Sequence, residues 1–224
     1  MKKGWLTLWL IFLPLFTLAQ WTGSYSMLLE SAPGREMVTV WLNFMENKIA
    51  MEMHVGQGAA RIRTIYDLRN KTMTTASEKD GSHKYAMVMK LHPELIEKNT
   101  EDIRYTPTDD QRIIDGFRCQ KTIAETTKDI SEIWLTTELN LSYEHTLGMI
   151  PHTKNNPTAG YLHNLKQWKG LKGFPLEIVS YAKDKPEEKS YIRFKDIRTA
   201  VVDTRAFDLS GYQFVELPPP VKEY

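Results

Sequence analysis

From Trp21 to Leu29, side chains fall into two alternating sets: Trp21, Gly23, Tyr25, Met27 and Leu29 in one, Thr22, Ser24, Ser26 and Leu28 in the other. A period of two puts every second side chain on one face of an extended backbone, so this segment folds as a strand with one buried face. The same period returns along the chain. Val38, Val40, Leu42 and Phe44 share a face, as do Ile49, Met51, Met53 and Val55. Further strands are expected over Ile62–Leu68, Met73–Ala76, Lys84–Lys90, Ile113–Glu125, Ile130–Thr137, Leu176–Ala182 and Tyr191–Ile197. Ala32-Pro33-Gly34, Glu46-Asn47, Gly56-Gln57-Gly58, Asn70-Lys71, Asp80-Gly81 and Thr126-Thr127-Lys128-Asp129 separate them as turns. Turns every eight to twelve residues or so are the spacing of an antiparallel sheet or open barrel.

Leu139–Phe174 breaks this rhythm. Tyr161, Leu162, Leu165 and Trp168 follow helical spacing after Pro157-Thr158, which predicts one amphipathic helix, and a short helix or turn is expected around Asp203–Phe207. At the start, Lys2 and Lys3 precede the apolar run Trp5–Leu13, and Thr17-Leu18-Ala19 offers small residues for cleavage, the pattern of a secretory leader over residues 1–19. Gln20 follows, so no thiol is placed there for lipid attachment. One β-rich domain is expected over residues 20–217, then a tail over 218–224 whose Pro218-Pro219-Pro220 cannot continue a sheet. Export implies a periplasmic or extracellular protein, with no membrane span once the leader is removed, because no second apolar run is long enough to cross a bilayer.

Charge and motifs narrow the chemistry. Lys and Arg together number 29 against 28 acidic residues, a net charge of +1, which gives no clustered basic surface for nucleic acid. The single cysteine, Cys119, excludes an internal disulfide and a cysteine-rich zinc site. It shares a strand face with Phe117 and reads as a buried, inert thiol; a reactive or intermolecular thiol would have only Arg118 and Lys121 nearby to activate it. HExxH, GxSxG, CxxC and P-loop patterns are absent, so no catalytic residue is assigned and no cofactor is expected. Gly56-Gln57-Gly58-Ala59-Ala60-Arg61 fails as a dinucleotide fingerprint, with Arg61 at the last glycine position and strand residues following. The histidines at 54, 83, 92, 145, 152 and 163 have no zinc-like helical spacing.

Methionines carry the most specific signal. Met51 and Met53, and likewise Met87 and Met89, stand two apart and therefore share strand faces. Three readings follow: ordinary core packing, an adaptable apolar lining for lipid tails, or a soft thioether site for Cu(I) built from Met51, Met53 and His54. A regular strand would turn His54 to the face opposite both methionines. Trp41 is likewise opposite the aliphatic face of its strand, so either a second layer covers it or its indole is exposed for binding.

The runs Ile114-Asp115-Gly116-Phe117-Arg118-Cys119-Gln120-Lys121, Glu132-Ile133-Trp134-Leu135-Thr136, Gly173-Phe174-Pro175-Leu176-Glu177 and Phe207-Asp208-Leu209-Ser210-Gly211-Tyr212 together resemble domain-of-unknown-function family 4412 of exported Gram-negative proteins. Leu209-Ser210 departs from that pattern, standing where a proline often precedes the Gly-Tyr pair. The resemblance implies a mainly β (α+β) fold: an incompletely closed antiparallel β-barrel with one or two packed helices, similar to periplasmic lipoprotein carriers and receptors. That family has no established catalytic residues to carry over. The expected role is a non-enzymatic envelope protein binding a lipid, acyl chain or exported partner in the half-barrel. Met51, Met53, Tyr85, Met87 and Met89 would line it, and Trp134 would close one side. The alternatives are the copper site or stress role, and an envelope adaptor docking through a sheet edge or the Trp41 face.

Overall fold

The computed structural model describes residues 21–30, 38–55, 60–91, 102–144, 146–150, 168 and 170–215. The leader over 1–19, the tail over 218–224, the Gly56-Gln57-Gly58 turn and the helix expected from Tyr161 to Leu165 lie outside these residues.

Among the described residues twelve strands form one sheet: β1 (Gly23–Glu30), β2 (Val38–Met45), β3 (Lys48–Val55), β4 (Ala60–Asp67), β5 (Thr72–Lys79), β6 (His83–Lys90), β7 (Arg104–Ile114), β8 (Phe117–Glu125), β9 (Asp129–Thr136), β10 (Phe174–Ala182), β11 (Lys185–Thr199) and β12 (Gln213–Val215). Their order is β12-β6-β5-β4-β3-β2-β1-β11-β10-β9-β8-β7. Two antiparallel meanders, β1–β6 and β7–β11, are therefore joined along a β1/β11 seam, and the sheet ends on β12 and β7 without closing. The only parallel pairing in this order is that of β12 with β6.

One expectation is corrected here. The segment read as one strand from Ile113 to Glu125 is the end of β7, a tight turn and β8. Asp115 and Gly116 both have positive φ, 49° and 86°, and Ile114 pairs directly with Phe117, which makes a two-residue hairpin of the type whose twist matches its strands. The short helix or turn expected around Asp203–Phe207 is a 3-10 turn over Thr204–Phe207. Among the described residues the helical pieces are short 3-10 turns, Leu147–Met149 and Thr204–Phe207, and α-helix is absent. Trp168, the described end of the expected helix, is buried and packs its ring 5.4 Å from that of Tyr143.

Cross-strand register defines the two faces. Phe44, Ile49, Tyr66, Met73 and Met89 form one row across β2–β6; Leu42, Met51, Thr64, Thr75 and Met87 form the next; Val40, Met53, Ile62, Ser77 and Tyr85 the third. These rows belong to the inner face. It continues through Tyr25, Met27 and Leu29 of β1 to Ile192, Ile178 and Ile133, and one hydrophobic cluster spans both meanders. Aromatic rings pin the seam: Tyr25 lies 5.3 Å from Phe44, 5.5 Å from Phe174 and 5.7 Å from Phe194.

The outer face of β1–β5 carries polar residues and would leave Ala50 and Ile65 open. The chain after β11 covers them. It crosses the sheet strand by strand: Ser24 Oγ donates to the Val201 carbonyl, the Asp203 amide donates to Asn43, and Ala206 packs with Phe207 and Leu209 on Ala50 and Ile65. Arg63 then donates to the Asp208 carbonyl at 2.8 Å, Tyr212 donates to Glu78 at 3.0 Å, and β12 pairs with β6. This arm is the second layer that the position of Trp41 left open, although Trp41 itself stays 42% exposed.

Candidate functional site

The three inner rows carry no charged side chain, and strand alternation is the reason. Each charged residue of β3 and β4 nearby, Glu52, His54, Arg61 and Arg63, has the opposite parity and projects outward. Met51, Met53, Tyr85, Met87 and Met89 thus share the inner face. They do not share an environment. Met51 and Met53 are 1% and 2% exposed and fixed in the core, whereas Met87 and Met89 on β6 are half-buried and Tyr85 is 46% exposed. Sequence reading missed Met73, which is buried directly opposite Met89. Continuing the ladder from the Asp80-Gly81 turn would have found it, because that turn sets the β5/β6 register.

Trp134 does not join this lining. Ile133 faces inward, so its neighbour Trp134 faces outward, opposite Lys121 and Glu177, with the Arg112 guanidinium 4.0 Å above the ring. Arg112 also donates to Glu177 at 2.5 Å, so the indole is part of an outer-face charge network. The set Met51, Met53 and His54 does not converge either. His54 lies on the outer face, its ring 5.2 Å from Trp41 and its Nε2 3.4 Å from Glu52, with the sheet between it and the two thioethers.

Burial opposes ionisation of three phenols and the thiol. Burial raises Tyr25 and Tyr143 well above the ordinary phenol range, and Tyr105 is pushed up to about 12 by burial and then by the charge of Glu144. Burial likewise raises the Cys119 thiol, whose Sγ is wholly covered and lies 3.5 Å from the Phe117 carbonyl. Such groups supply neither an anionic nucleophile nor a proton acceptor at neutral pH.

Two cavities bounded by described residues are larger than a third one, of about 230 Å³, between Leu28, Tyr191 and Arg193. One, of about 620 Å³, lies at the β7–β9 end, between Tyr105, Gln120, Thr122, Leu135, Thr137 and Leu171. The other, of about 660 Å³, lies on the outer face beneath the C-terminal arm. Neither has one of the expected lining methionines in its wall.

The family model for a domain of unknown function, DUF4412, matches residues 21–212, which spans the sheet from its first strand to the arm. The chain belongs to this family. No curated protein matches it. Solved structures to which this DUF4412 chain is similar include PNGF-II, at 13% identity over 89% of this chain and 31% of that one, with a TM-score of 0.41. They also include MucB in complex with MucA(peri), at 10% identity, 82% and 52% coverage and a TM-score of 0.34. A LolA superfamily protein, NE2245 from Nitrosomonas europaea, is similar at 10% identity, 85% and 91% coverage and a TM-score of 0.35. The chain spans about a third of the PNGF-II chain and about half of MucB. Among the described residues no helix of this DUF4412 protein is long and apolar enough to cross a membrane.

Proposed function

We propose that this DUF4412 protein is exported and acts without catalysis, holding a hydrophobic ligand such as a lipid acyl chain against the inner face of its open sheet. One observation carries the reading. The uncharged inner rows run from a closed core at Met51, Met53 and Met73 to a half-open end at Met87, Met89 and Tyr85. Unbranched thioethers adapt to irregular apolar shapes, so a wall that opens on methionines accommodates flexible chains. Each methylene transferred from water contributes about 0.8 kcal/mol, and roughly ten of them correspond to micromolar affinity even before ion pairing. Ordering the chain lowers that figure. Export rests on the leader pattern of residues 1–19.

Native mass spectrometry of protein secreted into a bacterial periplasm and purified without detergent tests the reading. A lipid-sized adduct that dissociates on denaturation is the expected result. Met87→Asp together with Met89→Asp should abolish it while the protein stays folded, since both positions are only half-buried. An adduct-free mass combined with no uptake of a fluorescent fatty acid would overturn the proposal, as would unchanged uptake by the folded double variant.

A further inference from the structure

The outer-face cavity has a composition unlike the inner face. Its wall holds four arginines, Arg61, Arg63, Arg198 and Arg205, against three carboxylates, Glu52, Asp196 and Asp203. Three of the guanidiniums are satisfied. Arg63 meets Glu52 at 3.0 Å and the Asp208 carbonyl, Arg61 meets Glu78, and Arg205 is bidentate on Asp203, both bonds at 2.9 Å. Arg198 has no carboxylate partner among the described residues. Asp196, two residues before it, instead accepts a hydrogen bond from Ser26 Oγ at 2.9 Å. On the same wall stands the part-exposed Trp41 indole, backed by the His54 ring.

We propose that this cavity is a second binding site, separate from the inner face, for a ligand carrying a single oxyanion, carboxylate or phosphate diester, on a flat apolar body. Arg198 is the free anchor. A guanidinium presents two parallel N–H donors that match a carboxylate or phosphate. The Trp41 ring supplies the surface on which a flat apolar group stacks. Asp196 and the already paired carboxylates disfavour a second negative charge, which is why the ligand is a monoanion. Register places the two anchors together on this face: Ser24 pairs with Arg198 on β11, and Ser26, two residues on, pairs with Trp41 on β2.

The test is a titration followed by tryptophan emission, with phenylacetate and methyl phenyl phosphate as the anionic probes and benzyl alcohol as their neutral counterpart. At least one anion should quench saturably with a Kd near or below about 1 mM, and benzyl alcohol should not. Saturation by phenylacetate alone identifies a carboxylate ligand and by the phosphate alone a phosphodiester. Arg198→Ala, an exposed position whose loss leaves the fold intact by circular dichroism, should weaken binding about tenfold or more. Trp41→Ala should remove the optical response, and calorimetry should show weaker binding. Equal affinity of Arg198→Ala and the parent, equal response to benzyl alcohol, or no saturation by either anion would overturn the proposal. Lipid uptake at the inner face is measured separately and its failure leaves this result untouched.

Discussion

Replacing Arg63 by methionine removes a cation held almost wholly out of water under the arm. Its side chain is 5% exposed, against 19% for Glu52 and 34% for Arg61. Two of its nitrogens lie 3.1 and 3.0 Å from Glu52 Oε2, and a third donates to the Asp208 carbonyl at 2.8 Å. The variant leaves the Glu52 carboxylate with Arg61 at 3.7 Å and His54 at 3.4 Å, both longer contacts, and leaves a carbonyl of the arm without its donor. Breaking a buried pair from one side costs about 3–5 kcal/mol, and the remaining neighbours of Glu52 place this case at the low end, about 3 kcal/mol. At about 2–4 °C per kcal/mol for a chain of this size, the melting temperature should fall by about 6–12 °C. Trypsin cleavage after Arg205 should accelerate, since the arm loses its middle anchor. The decisive comparison adds Glu52→Gln. Removing the stranded charge should restore part of the lost stability, so the double variant melts above Arg63→Met. A double variant no more stable than the single one, or a single variant melting with the parent, would refute the account of this pair.

The Gly23→Ala variant should lose about 1–3 kcal/mol in urea unfolding, because a methyl there meets the Arg198 carbonyl oxygen and the Trp21 ring at the β1/β11 seam; an unchanged midpoint would show that the seam yields. Iodoacetamide should leave Cys119 unmodified in the native protein at mildly alkaline pH and label it fully in urea, since burial both covers the thiol and raises its pKa. Mass spectrometry reads the difference, and rapid native labelling would contradict the buried position.

The inner face was legible in the sequence because burial and strand period coincide there. Tyr25, Met27 and Leu29, or Val40, Leu42 and Phe44, are apolar at every second position because each faces the same core. That parity also foretold that His54 would turn away from Met51 and Met53. Strand β7 was not legible, and its burial shows why. It is an edge strand, with most of its side chains exposed and its register shifted between Pro107 and Gln111, so no alternating apolar set marks Tyr105 to Gln111 as extended. Without β7, Asp115-Gly116 had no partner strand on its left and was absorbed into a longer run. Sequence order hid the rest. Arg63 and Glu52 are ordinary polar positions of alternating strands until an arm more than a hundred residues later closes over them.

Trp134 shows how parity decides function once register is known. An indole beside Ile133 and Leu135 in an apolar run invites a place in a ligand wall, and composition alone cannot object. Pairing can. Ile133 is opposite Ile178, Ile178 is opposite Ile192, and Ile192 is opposite Leu29, so an unbroken ladder ties Ile133 to the inner face. The residue next to it must then face outward, where Arg112 and Lys121 stand over its ring. A neighbouring row of the same face starts at Tyr25 and runs through Leu42, Met51 and Thr64 to Thr75 and Met87. Inner-face chemistry is therefore set by which residues hold the correct parity on β6, the last full-length strand of its meander. Polar substitutions at Met87 or Met89 alter the wall that a ligand meets, whereas those at Lys84 or Val88 alter the opposite face.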